Sequence, residues 1–325
     1  MPPVTSQAFA FLQNRKDDLR FAFRTMRKSL GFTAVAVFSL ALGIGANTAI
    51  FTLIDAVLLK SLPVENPGQL YVVTTSHPGR TNAHWTYPDY LAVRDRNQGF
   101  SGTIAYSSVQ PSGFAAGSGG DTRAELAAGT FVSGNYFDVL GVRAVAGTLF
   151  NPEHDRRLGA APYIVLSHSF WERRFASDPR IISSTVRVNG FPLTILGITR
   201  AGFTGVEVGV APDFFVPIMM RSEITGQGTW NNRNNSWLVM LGRIKPAASI
   251  AQLETELTIV NKDQELRERK TSANPRFVNE GRPVKLIPGA QGYSSLRNRL
   301  SEPLVLLMII VGVVLLIACA NVANL

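Results

Sequence analysis

Two long apolar stretches bracket this chain, and they limit what it can fold into more than any other feature. Phe32 to Leu59 runs for 28 residues with no Lys, Arg or Glu and a single acid, Asp55, while Pro303 to Leu325 runs for 23 residues without any charge. A helix of ~20 apolar residues crosses a bilayer core of ~30 Å, so each stretch is expected to be a transmembrane helix. Between them lie residues 60–302, long enough for one large or two small domains with packed cores. The second stretch runs to the last residue, from which a truncated C-terminus is expected.

Charge sets the expected orientation. Residues 1–31 carry Arg15, Lys16, Arg20, Arg24, Arg27 and Lys28 against two acids. Basic residues just before a span mark the cytoplasmic side, while long loops translocate with little regard to charge. The N-terminus is therefore expected in the cytoplasm of a bacterial cell and residues 60–302 in the periplasm, with the protein multi-pass in the inner membrane. Arg297 and Arg299 oppose this weakly. The six N-terminal cations are assigned to orientation and lipid headgroups, and nucleic acid is not expected as a partner. Leu12, Leu19, Phe23, Met26 and Leu30 form one helical stripe, so residues 1–31 read as a basic amphipathic helix at the membrane surface. A cleavable signal peptide fits poorly, because the apolar run far exceeds the usual ~7–15 residues.

Small residues recur within the first stretch. Ala41, Gly45 and Ala49 stand four apart, as do Ser39 and Gly43; such ridges allow close helix packing in lipid. Asn47, Thr48, Asp55, Asn321 and Asn324 stand out among the few polar groups in the two stretches. They suit either a transport path or hydrogen bonds between helices, and the second fits stretches otherwise so apolar. Ser39, Ala41, Gly43, Gly45, Asn47, Ala49, Asn321 and Asn324 are the candidate helix-packing positions.

The middle mixes strand and helix patterns without strict alternation, which argues α+β. Strands are expected at 70–75, 103–108, 122–128, 163–167, 214–218 and 237–244. Thr86 reads as the cap of a helix over 87–97, Ser133 to Leu140 as a helix closed by Gly141, and Ser249 as the cap of a long helix to Lys270. Asn189-Gly190 between two apolar runs is the clearest hairpin signal.

Catalytic signatures are sparse. His77, His84, His154 and His168 are scattered, and the one cysteine, Cys319, lies in the second apolar stretch. Neither a zinc site nor a disulfide framework is expected. No G-x-S-x-G occurs, and no G-x-x-x-x-G-K-[ST], so neither a hydrolase elbow nor ATP binding by a P-loop is expected. The chain reads as non-enzymatic and without cofactor.

An ordered series of motifs resembles a known family. Leu30-Gly-Phe-Thr-Ala-Val-Ala-Val37, Ala41-Leu-Gly-Ile-Gly-Ala-Asn-Thr-Ala-Ile-Phe51 and Ala56-Val-Leu-Leu59 look like the first span of MacB/FtsX-type ABC transporter permeases, and Asp18-Leu-Arg20 resembles the start of their acidobacterial-type subgroup. Tyr87-Pro-Asp-Tyr90, Val132 to Val142, Val165-Leu-Ser167, Val188-Asn-Gly190, Ala211-Pro-Asp213 and Gly242-Arg-Ile-Lys-Pro246 resemble the MacB-like periplasmic core domain. Leu316 to Leu325 is similar to the family's second span.

The resemblance implies a permease subunit that recruits a separate ABC-type ATPase, forms a homodimer or permease heterodimer, and can meet a periplasmic adaptor. It would relay ATP-driven motion through its membrane helices to the outer domain (mechanotransmission), for efflux or export of an unspecified substrate. It also implies two outer lobes, one inserted into the other at about 151–240. Family members have four spans, with the element that meets the ATPase between the second and third; this sequence contains two. The alternative is a membrane-tethered periplasmic binding or scaffold protein that regulates envelope processes.

Overall fold

The computed structural model describes residues 30–54, 60–77, 80–116, 124–207, 209–227, 235–271, 282–293 and 295–323. The basic segment 1–29, with all six expected headgroup contacts, lies outside them, as does Asn324. The chain divides into two compact units, Met1–Leu59 with Asn298–Leu325, and Lys60–Arg297.

Among the described residues, the first unit starts with helix α1 (Leu30–Ile54). The second unit then runs β1 (Leu70–His77), short β2 (Arg80–Asn82) and β3 (His84–Trp85), and helix α2 (Tyr87–Arg96). Strands β4 (Phe100–Ser107), β5 (Gln110–Ala116) and β6 (Glu125–Val132) follow, then α3 (Tyr136–Leu140) and β7 (Ala144–Gly147). Next come β8 (Tyr163–Leu166), α4 (His168–Phe175), β9 (Thr185–Val188), β10 (Phe191–Thr199), β11 (Phe214–Pro217) and α5 (Arg221–Thr225). The unit closes with β12 (Leu238–Ile244), α6 (Ile250–Thr271) and β13 (Val284–Pro288), and α7 (Ser295–Ala323) is the last helix.

Strand pairing makes two lobes from one continuous ladder. In the first lobe β4, β12, β1 and β13 lie side by side, all antiparallel. Side chains along a strand alternate between faces, and here both faces are buried. Val73, Ala105, Leu238, Met240, Val284 and Leu286 point to one side, where Tyr87, Tyr90 and Val93 of α2 and Leu253, Leu257 and Val260 of α6 cover them. Leu70, Val72, Ile104, Tyr106, Val239 and Leu241 point to the other, against Tyr136, Phe137 and Leu140 of α3.

The second lobe is a closed ring. β6 pairs with β5, β5 with β9, β9 with β10, β10 with β8, β8 with β11, and β11 returns to β6. Every strand sends side chains into one interior: Phe114, Ala127, Ile164 and Leu166, Val186 and Val188, Leu193 and Ile195, Phe214 and Val216. A small barrel of this kind is filled by its own side chains. Gly129 makes room for this packing, since an added Cβ would lie 2.4 Å from the Phe214 ring.

The lobes share a core. Val165 and Phe215, the outward residues of β8 and β11, join Phe203, Tyr136 and Phe137 on the back of the first sheet. Ring centroids of Phe137 and Phe215 are 5.2 Å apart and those of Phe203 and Phe215 are 5.8 Å apart. A single residue pair, Tyr106 with Val132, carries the ladder from β4 to β6.

Local signals place most of these elements. Thr86 Oγ1 accepts from the Asp89 amide while Asp89 Oδ2 accepts from the Thr86 amide, both at 3.3 Å, a reciprocal cap at the start of α2. Asn189 and Gly190 both adopt positive φ, 49° and 83°, as a two-residue turn between β9 and β10 needs. The long helix begins at Ile250, directly after Ser249. Between the strands expected at 103–108 and 122–128 the structure adds another, β5. Its sequence Gln-Pro-Ser-Gly-Phe-Ala-Ala is weak in strand formers, so its pairing with β6 and β9 decides its form. The ring also draws β5 and β6 into the second lobe, so its core reaches back to Phe114.

The outer edge of β13 is occupied by α6. The Val284 amide donates to Thr258 Oγ1 and the Leu286 amide to Glu254 Oε1, each at 2.9 Å. Lys285 Nζ reaches Glu254 Oε2 at 2.8 Å. Although partial burial works against the charged form, these bonds hold the Glu254 carboxyl below its ordinary range.

In the first unit α1 is a 25-residue helix without a charged residue, and α7 is a 29-residue helix that continues through Pro303. Taken over the described residues alone, no helix is long and apolar enough to cross a membrane. Spanning by Phe32–Leu59 and Pro303–Leu325 therefore rests on their composition. Large apolar side chains stand exposed around α1, among them Val35, Phe38, Leu42, Ile44 and Phe51, and along α7 from Val305 to Ile317.

Candidate functional site: the helix pair, the domain base and a half-open cleft

Within the first unit, Gly43 is buried, and a Cβ added there would lie 3.1 Å from Leu315 Cδ1 of α7. Ala46, Asn47 and Ile50 are half-buried, and with Gly43 they fall at i, i+3, i+4 and i+7, one face of α1. Among the described side chains of α7, Val311, Gly312 and Leu315 are half-buried. Among the candidate packing residues, Gly43 and Asn47 thus share the face turned to α7, whereas Ser39, Ala41, Gly45 and Ala49 are exposed. Asn321 is helical, with its side chain outside the described set. Thr48 Oγ1 donates to the Ile44 carbonyl and Thr52 Oγ1 to the Thr48 carbonyl, both at 2.8 Å, so both hydroxyls are satisfied inside their own helix.

The second unit begins and ends at one place. The Leu62 amide donates to the Ala290 carbonyl and the Gly289 amide to the Leu70 carbonyl, both at 2.8 Å. Gly292 packs so tightly that an added Cβ would meet the Val206 carbonyl at 2.2 Å. Glu207 and Tyr293 form a β-bridge beside it. Two arginines fasten the entering segment. Arg243 of β12 donates through Nη2 to the Glu65 carbonyl at 2.6 Å, through Nη1 to the Asn66 carbonyl at 3.0 Å, and through Nε to the Val139 carbonyl at 2.9 Å. Arg200, just past β10 in the barrel lobe, donates to the Pro63 carbonyl at 2.6 Å. The planar guanidinium can hold several acceptors at fixed angles. Entry segment, exit segment, sheet lobe and barrel lobe are joined through these contacts. Motif spacing points to Gly242–Pro246, but Arg243 and Arg200 act on backbone carbonyls, which leave no mark in the sequence.

A cleft of about 530 Å³ opens between α2 and the short turn Pro152–Asp155. Tyr87, Tyr90, Leu91 and Arg94 line it from one face of α2, Gly134 and Asn135 from the β6–α3 loop, Pro152, Asp155 and Arg156 from the turn, and Met219 from below. Arg94 is bidentate to Asp95, at 2.7 and 3.1 Å, and Arg156 pairs with Glu153 at 2.6 Å. Asp155 is 7 % exposed, and among the described residues its Oδ1 has no hydrogen-bond partner. Burial pushes its carboxyl up to about 7, against the opposing pull of the Gly134 amide and Arg94. Burial likewise raises the Tyr90 hydroxyl to about 12 and the Tyr87 hydroxyl further. Gly134 is required here, because a Cβ would sit 2.6 Å from the Asn151 carbonyl. Among the described residues no group of three or more His, Cys, Asp or Glu is arranged to hold a metal ion.

Residues 33–260 match the model of the MacB-like periplasmic core domain, and the chain belongs to that family, the domain of MacB/FtsX-type ABC transporter permeases. Among solved structures, a domain of a protein described as a permease from Porphyromonas gingivalis is similar at 16 % identity and TM-score 0.50, covering 73 % of this chain and 98 % of that one. The extracellular domain of the noncanonic ABC-type transporter YknZ from Gram-positive bacteria is 13 % identical at TM-score 0.47, covering 67 % of this chain and 99 % of that one. The periplasmic region of MacB from Actinobacillus actinomycetemcomitans is 12 % identical at TM-score 0.48, covering 78 % of this chain and 98 % of that one. No curated relative matches the sequence.

Proposed function

We propose that this chain is a non-catalytic permease subunit in which α1 and α7 cross the inner membrane and relay the motion of a partner ATPase to the periplasmic domain. The supporting observation is the joined base: the entering and leaving segments of the domain are tied to each other through Leu62 and Ala290, and to the two lobes through Arg243 and Arg200. A displacement of either segment is therefore delivered to the sheet lobe and the barrel lobe together. The uncharged α1 and the uncharged part of α7 from Pro303 onward, both outwardly apolar, suit lipid contact better than a polar conduit. In this reading segments 32–59 and 303–325 span the membrane, and the N-terminal cations favour an orientation with residues 1–31 in the cytoplasm and residues 60–302 in the periplasm. Dimerisation, and docking of a periplasmic adaptor, complete the reading.

The test is to place the full chain in lipid nanodiscs with a candidate ABC-type ATPase, and to follow spin-label distances between the barrel lobe and the sheet lobe's outer helix. ATP binding is expected to shift those distances, and the double variant R200A/R243A to abolish the shift while leaving the complex intact. An ATPase that never binds the chain, or one whose nucleotide cycle leaves the outer domain unmoved, overturns the reading.

A further inference from the structure

We propose that the cleft between α2 and the Pro152–Asp155 turn is a binding site for a small primary ammonium compound with a compact apolar body, and that Asp155 is its counter-ion. The proposal stands on the cleft alone and is independent of the permease reading.

Volume and lining come first. At about 530 Å³ the cleft falls in the range of small-molecule sites, which combine apolar walls with a few convergent polar groups. Tyr87, Tyr90, Leu91 and Met219 supply the apolar wall. All four come from well-packed elements, since the two tyrosines and Met219 belong to the core beneath α2 and α6 and Leu91 packs against it. The shape is thus built before any ligand arrives.

Charge then selects the ligand. The two cations at the cleft are already matched, Arg94 by Asp95 and Arg156 by Glu153. An incoming anion would have to displace one of those carboxylates and would also face Asp155. The Asp155 carboxyl, by contrast, has an oxygen with no donor among the described residues, on a residue more than nine-tenths buried. A buried polar atom without a partner is destabilising, and an ammonium group carries both the donor and the charge that relieve it. The groups facing Asp155 are Tyr87, Tyr90 and Arg94 from α2, the Gly134 amide and Asn135 from the β6–α3 loop, and Arg156 on its own turn. Tyrosine rings beside the carboxylate add attraction for a cation. Deprotonation of Asp155 strengthens the site, so affinity rises as pH passes upward through about 7.

The experiment titrates the full chain in nanodiscs with three probes of one shape: phenethylammonium, 2-phenylethanol and 3-phenylpropanoate, by calorimetry at pH 6 and pH 8. Phenethylammonium is expected to bind more tightly than its neutral and anionic counterparts, and more tightly at pH 8 than at pH 6. Asp155→Asn is expected to lower its affinity about tenfold or more and to remove the pH effect, with 2-phenylethanol unchanged. If Asp155→Asn fails to fold by its thermal melt, Leu91→Trp, which fills the mouth and keeps the carboxylate, is expected to weaken all three probes. Equal affinity for the three probes, or no heat from any of them up to about 10 mM, overturns the proposal.

Discussion

The backbone amide of Leu62 donates to the carbonyl of Ala290 at 2.8 Å, so the point where the chain enters its outer domain and the point where it leaves are one hydrogen bond apart. Strand β1 pairing with β13 continues that contact into the sheet. Neither segment can be pulled without loading the other.

Arg243 is the strongest fastening at this base, and its loss has a defined cost. Arg243→Ala removes donors from the Glu65, Asn66 and Val139 carbonyls. The site is partly solvated, and charged hydrogen bonds of this kind contribute less where water can replace them. A loss of about 1–2 kcal/mol is expected in urea unfolding of the outer domain. Hydrogen exchange should rise at the entering segment before it rises in the barrel. Arg243→Lys should recover little, because a point charge cannot hold three carbonyls at fixed angles.

Gly43 and Gly45 offer a matched pair on α1. A side chain at 43 meets Leu315 of α7, while one at 45 meets nothing within 4 Å. Gly43→Ile should separate the two helices and lower the thermal stability of the detergent-solubilised chain by several degrees, as overpacking of about 1–3 kcal/mol would do. Gly45→Ile should leave it unchanged. An equal effect from both would mean that the face through Gly43 and Asn47 is not the packing face.

Asp155 gives the outer domain a pH dependence of known sign. Its folded value, about 7, lies above its ordinary 3.8, so between those limits the folded state holds more proton than the unfolded. Stability therefore falls as pH rises through that window and levels off above it. The total is on the order of a few kcal/mol. Asp155→Asn keeps an acceptor for the Gly134 amide and removes the charge. Its urea midpoint should exceed that of the unaltered chain at pH 8 and match it near pH 4; a variant whose midpoint tracks the parent at both values would refute the assignment.

What the sequence disclosed follows from which forces are local. The Thr86–Asp89 cap and the Asn189-Gly190 turn are each written in a few neighbouring residues, and the structure places them where spacing puts them. The ordered motifs disclosed the family in the same way. Strand β5 was hidden because Pro111 and Gly113 weaken its pattern, and only β6 and β9 make it a strand. Ring closure depends on β11 meeting β6, a contact between distant segments that no short window records. Arg243 and Asp155 were hidden for a related reason: a clamp onto carbonyls and an acid stranded by burial are made by the fold around them.

The ring of six strands and the covered margin of β13 bear on how this domain can assemble. A seam is missing in the first, and at the second the Val284 and Leu286 amides are already taken by Thr258 and Glu254. Recruitment by β-augmentation is therefore closed at both places. Whatever joins the domain there must grip side chains and loops, an attachment that can be released without unzipping a sheet.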